Sequence, residues 1–245
     1  MGIIGSAVSV TEIPRCSVCG RRMVGAAYQL PDGRVWCVKH ASAPRCTGCA
    51  IPVEGGPASG GLCQTCGATA VLRSSDVIPV KDRLKQHMRQ LGIQVTTPTK
   101  IKLAAKAADM SGDVHVQGIT NWTRSIGNTV SGPITIQVLR GLPLPQFRHV
   151  IAHEFAHAAM AGGPGMNWLG PRLIEGFAEA LALFHLRVVA DAGLPMIESS
   201  MLANPDPVYG DGLRLVMPAV DKHGLMPVLE ALRWNRPKDV DLPRR

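Results

Sequence analysis

One stretch of the sequence carries residues whose types and spacing suit hydrolytic metal chemistry. A His-Glu-x-x-His pattern runs from His153 to His157, with Glu154 inside it. On a helix the two histidines lie one turn apart on the same face, where both imidazoles can bind one zinc ion. Glu154 then lies beside them and can take a proton from a water molecule at the metal. The pattern therefore predicts a catalytic zinc site.

A catalytic zinc site needs a third protein ligand and one open position for water. Glu175 and Glu179 are four residues apart on the next predicted helix, so they share one face. A loop and an antiparallel return fit between His157 and Glu175, and we expect Glu175 to be the ligand. Glu179 is expected to accept a hydrogen bond from His153 and fix its tautomer. The alternative is that the two glutamates exchange these roles.

Two further residues are expected near this site. His149 precedes His153 by one helical turn and should either support the ligands or lie in the core. Tyr209 is the predicted hydrogen-bond donor to the oxyanion that forms during amide hydrolysis, because Tyr28, the other tyrosine, lies in a cysteine-rich region. A packing role is the alternative for Tyr209.

The cysteine-rich region predicts two structural metal sites. Two residues between ligands let one tight turn point both side chains at a single tetrahedral zinc ion. The predicted ligand sets are Cys16, Cys19, Cys37 and His40, and Cys46, Cys49, Cys63 and Cys66. A disulfide framework is the alternative, but seven cysteines cannot all pair and no secretory segment is predicted. We thus expect three zinc ions, one catalytic and two structural.

Composition narrows the class of protein. The chain has 245 residues, 46% of them hydrophobic, which suffices for a small module and a domain with its own core. Its formal charge of +8 permits acidic partners, but no long basic run or basic-aromatic alternation favours nucleic acid. No apolar run has the length of a membrane span. We expect a cytoplasmic protein that acts on a protein or peptide.

The same features divide the chain into two domains. Residues 14–70 are predicted to form a zinc module, in which metal replaces a hydrophobic core. Residues 71–79 are predicted to be a connector, and residues 80–235 a packed α+β domain. The predicted elements of that domain are a helix over 80–91 and strands at 93–95, 114–119 and 134–139. Two further helices are predicted, one that starts after Pro143 and Pro145 and stops at Gly162, and one over 171–192. We expect irregular structure in three segments: the lead-in 1–13, the loop 52–61 and the tail from 237 onward.

At these motifs the chain resembles the plant DA-one family, growth-regulating peptidases in which LIM-type zinc modules precede a gluzincin-like domain. The resemblance covers most of residues 14–235. It rests on the segments 136–143, 151–158, 175–182 and 209–214. It implies a LIM-like zinc module followed by a zincin fold, with a short sheet and an active-site helix that carries the His-Glu-x-x-His pattern. It also supports Glu175 as the third ligand and implies hydrolysis of protein amide bonds.

The sequence departs from that family in three respects. Five residues separate His40 from Cys46, where a LIM domain usually has two, and the family has glutamine in place of Glu179. No ubiquitin-interacting helix is found, so ubiquitin binding is not carried over. From the resemblance, strand 134–139 is expected to be the sheet edge on which an extended peptide substrate adds.

Two other functions remain open at the level of sequence. The chain could be a LIM-like adaptor with an inactive peptidase fold, although an intact Glu154 argues against this. It could also be a zinc-knuckle nucleic-acid binder, a function that salt-dependent binding would favour. The residues available for phosphate contact are Arg15, Arg21, Arg22, Arg34, Lys39 and Arg45.

Overall fold

Helices and two small sheets make the fold mixed α+β, as predicted. The structure is a computed structural model and describes residues 13–53, 61–106, 108–111, 116–125, 130–164, 168–190 and 193–243. Most of the predicted lead-in and loop, 1–12 and 54–60, lies outside these residues. In chain order the elements are β1 (Ala27–Gln29), β2 (Val35–Cys37), α1 (Gln64–Ala68), α2 (Ser74–Gln90), β3 (Thr99–Ala104), α3 (Ala108–Ser111), β4 (Gly118–Arg124), β5 (Val130–Leu139), α4 (Leu144–Ala161), α5 (Pro171–Val189), α6 (Leu194–Leu202), α7 (Tyr209–His223) and α8 (Leu225–Arg233).

The cysteine-rich region has a small core of its own. Strands β1 and β2 pair antiparallel and place Trp36, which is 1% exposed, at the centre of a cluster made largely of cysteines. Tyr28 stacks on the indole with ring centroids 5.4 Å apart, and the Arg45 guanidinium lies 4.8 Å above the ring. This is little apolar surface for an independent unit, so the region depends on additional cross-links such as metal ions.

The segment 71–79 is not the predicted connector, because helix α2 already begins at Ser74. Asp76 accepts a hydrogen bond from the backbone N–H of Arg73 at 2.9 Å and caps the first turn. Val77 is buried in the main hydrophobic core. The Val71 N–H also donates to the Leu142 carbonyl at 2.9 Å, so the packed domain begins at Val71.

The larger sheet has the order β3-β5-β4, with β5 in the middle. Strand β5 pairs parallel with β3 and antiparallel with β4, and buries Ile134, Ile136 and Val138 against the helices. The prediction that strand 134–139 is an edge is therefore wrong, because both of its sides carry backbone hydrogen bonds. Among the described strands, the edges are β3 and β4.

Two of the strand predictions also need correction. Residues 93–95 are irregular, because Gly92 has a φ of +75° and the Ile93 N–H donates back to the Met88 carbonyl at 2.8 Å, which ends α2. The strand predicted at 114–119 starts at Gly118 and continues to Arg124, and residues 112–115 are outside the described part of the chain. Strand β3 was not predicted.

Helix α4 packs on the sheet, α5 packs on α4, and α7 packs on α5; these three helices form the framework of the candidate site. Pro143 precedes α4, and α5 starts at Pro171, both at positions where proline favours a helix start. Helices α5 and α7 approach at Gly176 and Gly212, where a Cβ on Gly176 would lie 2.3 Å from the Gly212 carbonyl oxygen. Two glycines therefore allow α7 to pass close to the part of α5 that carries the acidic pair.

The described part of the C-terminal segment, residues 237–243, packs against the main core instead of fraying. Residues Pro237–Val240 form a 3-10 turn, and Val240 and Leu242 are buried in the main core. Their apolar side chains fix the tail in spite of its charged neighbours. In the part of the chain that is described, no helix combines the length and the apolar character required to cross a membrane.

Candidate active site and metal centres

Three ligand-type atoms from α4 and α5 meet at one point. The Nε2 atoms of His153 and His157 are 3.0 Å apart, and Glu175 Oε2 lies 3.1 Å from the first and 3.2 Å from the second. The i, i+4 spacing on α4 brings the two imidazoles together edge to face, with ring centroids 4.8 Å apart, and α5 returns antiparallel to supply the carboxylate. The structure thus brings together the three residues that the sequence predicted as ligands.

The triangle formed by His153 Nε2, His157 Nε2 and Glu175 Oε2 has the dimensions of a metal site. Zinc bound tetrahedrally by nitrogen and oxygen at about 2.0–2.1 Å places its ligand atoms about 3.3 Å from one another. The distances of 3.0–3.2 Å among His153, His157 and Glu175 are close to that value. One carboxylate oxygen faces both imidazole nitrogens while those nitrogens also face each other. Hydrogen bonds alone do not require such convergence, whereas a shared cation does.

Glu179 occupies the opposite side of the His153 ring. Its Oε1 lies 2.9 Å from His153 Nδ1, and its Oε2 lies 3.0 Å from His149 Nε2. Glu179 Oε2 is thus within hydrogen-bond geometry of His149, while Oε1 is at ion-pair distance from His153 Nδ1 without that geometry. This contact fixes the orientation of the His153 ring and leaves Nε2 available for a metal.

His149, His153 and Glu179 also lie close enough to form a second possible metal group. It shares His153 with the first group but would use the Nδ1 side of the ring. We favour the first group because its three atoms converge on one point, whereas the oxygens of Glu179 face two separate rings. His149 then supports Glu179, in line with the supporting role predicted for it.

The charges around His153 reinforce the case for a cation. Burial opposes protonation of His153, but hydrogen bonds to Glu175 and Glu179 and the charges of Glu179 and Glu154 raise its pKa to about 10. Burial likewise opposes ionisation of Glu175, but its contacts with His153 and His157 lower its pKa to about 2. The carboxylates of Glu154, Glu175 and Glu179 thus lie among the imidazoles of His149, His153 and His157. Without a metal, a proton on His153 supplies part of the positive charge that a divalent ion would bring.

The Glu154 carboxylate is only 6% exposed and is fixed by strand β4. Thr120 Oγ1 lies 2.7 Å from Glu154 Oε2 and 2.9 Å from the Glu154 backbone carbonyl. Gly118 lies next to the same side chain, since a Cβ on this glycine would be 2.8 Å from Glu154 Oε1. The predicted base is therefore held between α4 and β4.

Tyr209 is the first residue of α7 and lies at this site. Its ring centroid is 6.0 Å from that of His153. Burial, together with the charges of Glu175, Glu154 and Glu179, raises the Tyr209 pKa to about 12. The phenol therefore keeps its hydrogen at neutral pH and can donate a hydrogen bond.

The cysteine-rich region contains the two predicted ligand clusters. In each, all four ligand atoms lie within 4.8 Å of one another, and all seven cysteines are free thiols. The sulfurs of Cys49 and Cys63 are 3.7 Å apart, close to the roughly 3.8 Å expected between thiolates on one tetrahedral zinc ion. The backbone N–H groups of Gly48 and Cys63 donate to Cys46 Sγ at 3.4 and 3.2 Å. These contacts stabilise a thiolate at Cys46.

The thiol pKa values differ within each cluster. Burial opposes ionisation of Cys46, but backbone N–H donors lower its pKa to about 7, and the same balance lowers the pKa of Cys16 to about 6. Burial raises the pKa of Cys66, and the neighbouring Cys49 and Cys46 raise it further. Without a cation, one thiolate thus disfavours the next. A zinc ion removes that conflict and fits both clusters.

Two contacts at or near the site were not predicted. Thr120 touches Glu154 from a strand 34 positions earlier in the chain, and no local pattern marks such a pair. His87 on α2 and His185 on α5 meet with Nδ1 atoms 3.2 Å apart inside the main core. Both contacts join elements far apart in the sequence, so only the packing of the helices and the sheet reveals them.

Comparisons with protein-family models, with curated proteins and with solved structures gave no match. The functional conclusion accordingly depends on the chemistry and geometry of the site itself.

Proposed function

We propose that the chain is a zinc-dependent peptidase that hydrolyses protein amide bonds at the site formed by α4 and α5. The observation that carries the proposal is the triangle of His153, His157 and Glu175, with the buried carboxylate of Glu154 beside it on the same helix. The resemblance of these motifs to the DA-one family supports the same activity. A purely structural metal site would have no use for Glu154, because that residue is not among the ligands.

Each residue has a separate role in the proposed reaction. Zinc, when bound by the triangle, supplies a Lewis acid that lowers the pKa of a water molecule toward about 7. Glu154 takes the proton from the attacking water and delivers it to the leaving amide nitrogen. Tyr209 donates a hydrogen bond to the carbonyl oxygen as it becomes negative. Glu179 and His149 keep the His153 ring oriented throughout.

Strand β4 is the proposed place for the substrate backbone. It is an edge of the sheet among the described strands, and it lies beside Glu154. An extended peptide that pairs with β4 would add one strand to the sheet through backbone hydrogen bonds. Such binding tolerates many side-chain sequences, which suits a protein substrate.

The two cysteine clusters are proposed to bind one structural zinc ion each in a LIM-like module. Their four-ligand sets leave no open position for water, so they are suited to folding rather than catalysis. The surface of this module is a possible docking surface for a protein partner.

A peptide-cleavage assay with a matched inactive variant tests the proposal. The zinc-loaded protein is incubated with a mixture of unstructured peptides, and new termini are identified by mass spectrometry. In parallel, Glu154→Gln is assayed at equal zinc content, because glutamine has nearly the same shape but cannot take the proton. We expect cleavage by the wild-type chain and a rate lower by roughly 10²–10⁴ in the variant.

Equal cleavage by the two proteins would contradict the proposal. A wild-type chain that binds zinc at the α4–α5 site but cleaves no peptide would instead favour the adaptor function.

A further inference from the structure

Strand β4 makes two different contacts with the same side chain. Thr120 Oγ1 lies 2.7 Å from Glu154 Oε2 and 2.9 Å from the backbone carbonyl oxygen of the same residue. A hydroxyl that reaches both ends of one glutamate holds that side chain folded toward its own backbone. The number of rotamers available to Glu154 is thereby reduced.

Gly118 borders the same carboxylate two residues earlier on the strand. A Cβ at this position would lie 2.8 Å from Glu154 Oε1 and 2.5 Å from a methyl carbon of Val150. Any side chain here would collide with α4, so a glycine is required for β4 to approach the helix this closely. Space left at Gly118 and a hydrogen bond from Thr120 together define one position for the carboxylate.

We propose that Thr120 is a positioning residue that holds the Glu154 carboxyl group in its reactive orientation. Gly118 contributes by letting β4 approach α4 closely enough for this contact. This inference rests on the proposed function. It assigns to β4 a part in placing the base in addition to its proposed pairing with substrate.

The hydroxyl of Thr120 is suited to both stages of the proposed proton transfer. It carries one hydrogen and therefore donates to one acceptor at a time. Before the transfer, the hydrogen points to Glu154 Oε2. After the carboxyl group has taken a proton, Oε2 can still accept the Thr120 hydrogen, so the transferred proton stays free to pass to the leaving amide nitrogen. The carboxyl group thus stays fixed in both stages.

Steady-state kinetics on a peptide that the wild-type chain cleaves tests the role. Thr120→Val removes the hydroxyl with little change in shape, and Thr120→Ser restores it. Thr135→Val makes the same change on the neighbouring strand β5, on the sheet face opposite the buried Ile134 and Ile136, and serves as the control. We expect Thr120→Val to lower kcat by about tenfold to a hundredfold, with KM and zinc content nearly unchanged. Thr120→Ser should recover most of kcat, and Thr135→Val should keep it.

The result that would overturn the role is a wild-type kcat in Thr120→Val, or a loss that Thr120→Ser does not recover. A loss that appears equally in Thr135→Val would also overturn it, because the effect would then come from the sheet and not from the Thr120 hydroxyl.

A double-mutant cycle keeps the test independent of the proposed activity. The unfolding equilibrium is measured for wild type, Thr120→Val, Glu154→Ala and the double variant at a fixed free zinc concentration. Residues in direct contact typically couple by about two- to a hundredfold in that equilibrium constant. Additive effects of the two substitutions would overturn the contact. If the two substitutions couple but the chain hydrolyses no peptide, the Thr120–Glu154 contact is confirmed and only the peptidase function is rejected.

Discussion

His153 Nδ1 lies 2.9 Å from Glu179 Oε1, so the imidazole that faces the candidate metal position is held from its opposite side by a buried carboxylate. The same carboxylate reaches His149 through its other oxygen at 3.0 Å. The geometry therefore separates two glutamates that look alike in sequence. Glu175 faces the Nε2 atoms of both histidines, and Glu179 faces the Nδ1 atom of one.

This separation predicts different zinc affinities for two matched variants. Glu175→Ala removes one of three ligands and should lose the catalytic zinc on dialysis against a buffered chelator. Glu179→Ala should keep that zinc with an affinity about 10–100-fold lower. Both changes remove one negative charge from the same helix, so general electrostatic effects largely cancel in the comparison. The opposite order of affinities would identify the group with His149 as the metal site.

Elemental analysis of the protein, purified without chelator, should give three zinc ions per chain. Two come from the cysteine clusters and one from the α4–α5 site. His153→Ala should lower the value to two, because it removes an imidazole from the triangle. His223→Ala, which changes an exposed histidine paired with Asp241, is the control and should retain three. A value of two in the wild-type chain, unchanged by His153→Ala, would exclude a catalytic zinc.

The buried pair of His87 and His185 predicts a loss of stability in acid. Burial, together with charge repulsion from His87, Arg148 and Arg83, lowers the pKa of His185 from its usual 6.5 to about 4. The folded protein then binds fewer protons than the unfolded chain between these pH values. This contribution to stability is fully present above pH 6.5 and is lost as pH falls toward 4, up to about 3 kcal/mol.

The measurement for this pair is the free energy of unfolding as a function of pH at constant free zinc. His185→Leu should flatten the slope of the free energy of unfolding between pH 6.5 and 4 by close to one proton. A wild-type slope in His185→Leu would show that His185 does not titrate in this way.

Cys46→Ser should unfold the cysteine-rich region and leave the rest of the chain folded. The substitution removes a thiolate that accepts two backbone N–H groups and belongs to a four-ligand cluster. Limited proteolysis should leave a protected fragment that starts close to Val71, where the main core begins. His153→Ala should not expose the cysteine-rich region in this way. Full resistance of Cys46→Ser would mean that this region folds without its metal, and loss of the fragment would mean that the two parts fold as one.

The sequence alone was sufficient to predict the local arrangement of residues that lie near one another along the chain. The i, i+4 spacing of His153 and His157 specifies one helix face wherever α4 is placed, and the C-x2-C pairs specify tight turns. Prolines and glycines marked the limits of α4 and α5 to within a few residues. Periodicity also identified Ile134, Ile136 and Val138 as one buried face of a strand.

Only the tertiary structure decided how those elements meet. Strand β5 is central because it pairs on both sides, although its sequence would equally suit an edge. Strand β3 was not predicted from the sequence because its lysines interrupt the apolar pattern of a strand. The close approach of Gly176 and Gly212 brought Tyr209 to His153, and the packing of β4 on α4 placed Thr120 on Glu154. Local spacing sets which face of an element a side chain occupies. Distances between elements depend on the packing of the whole core, which no short segment of the sequence contains.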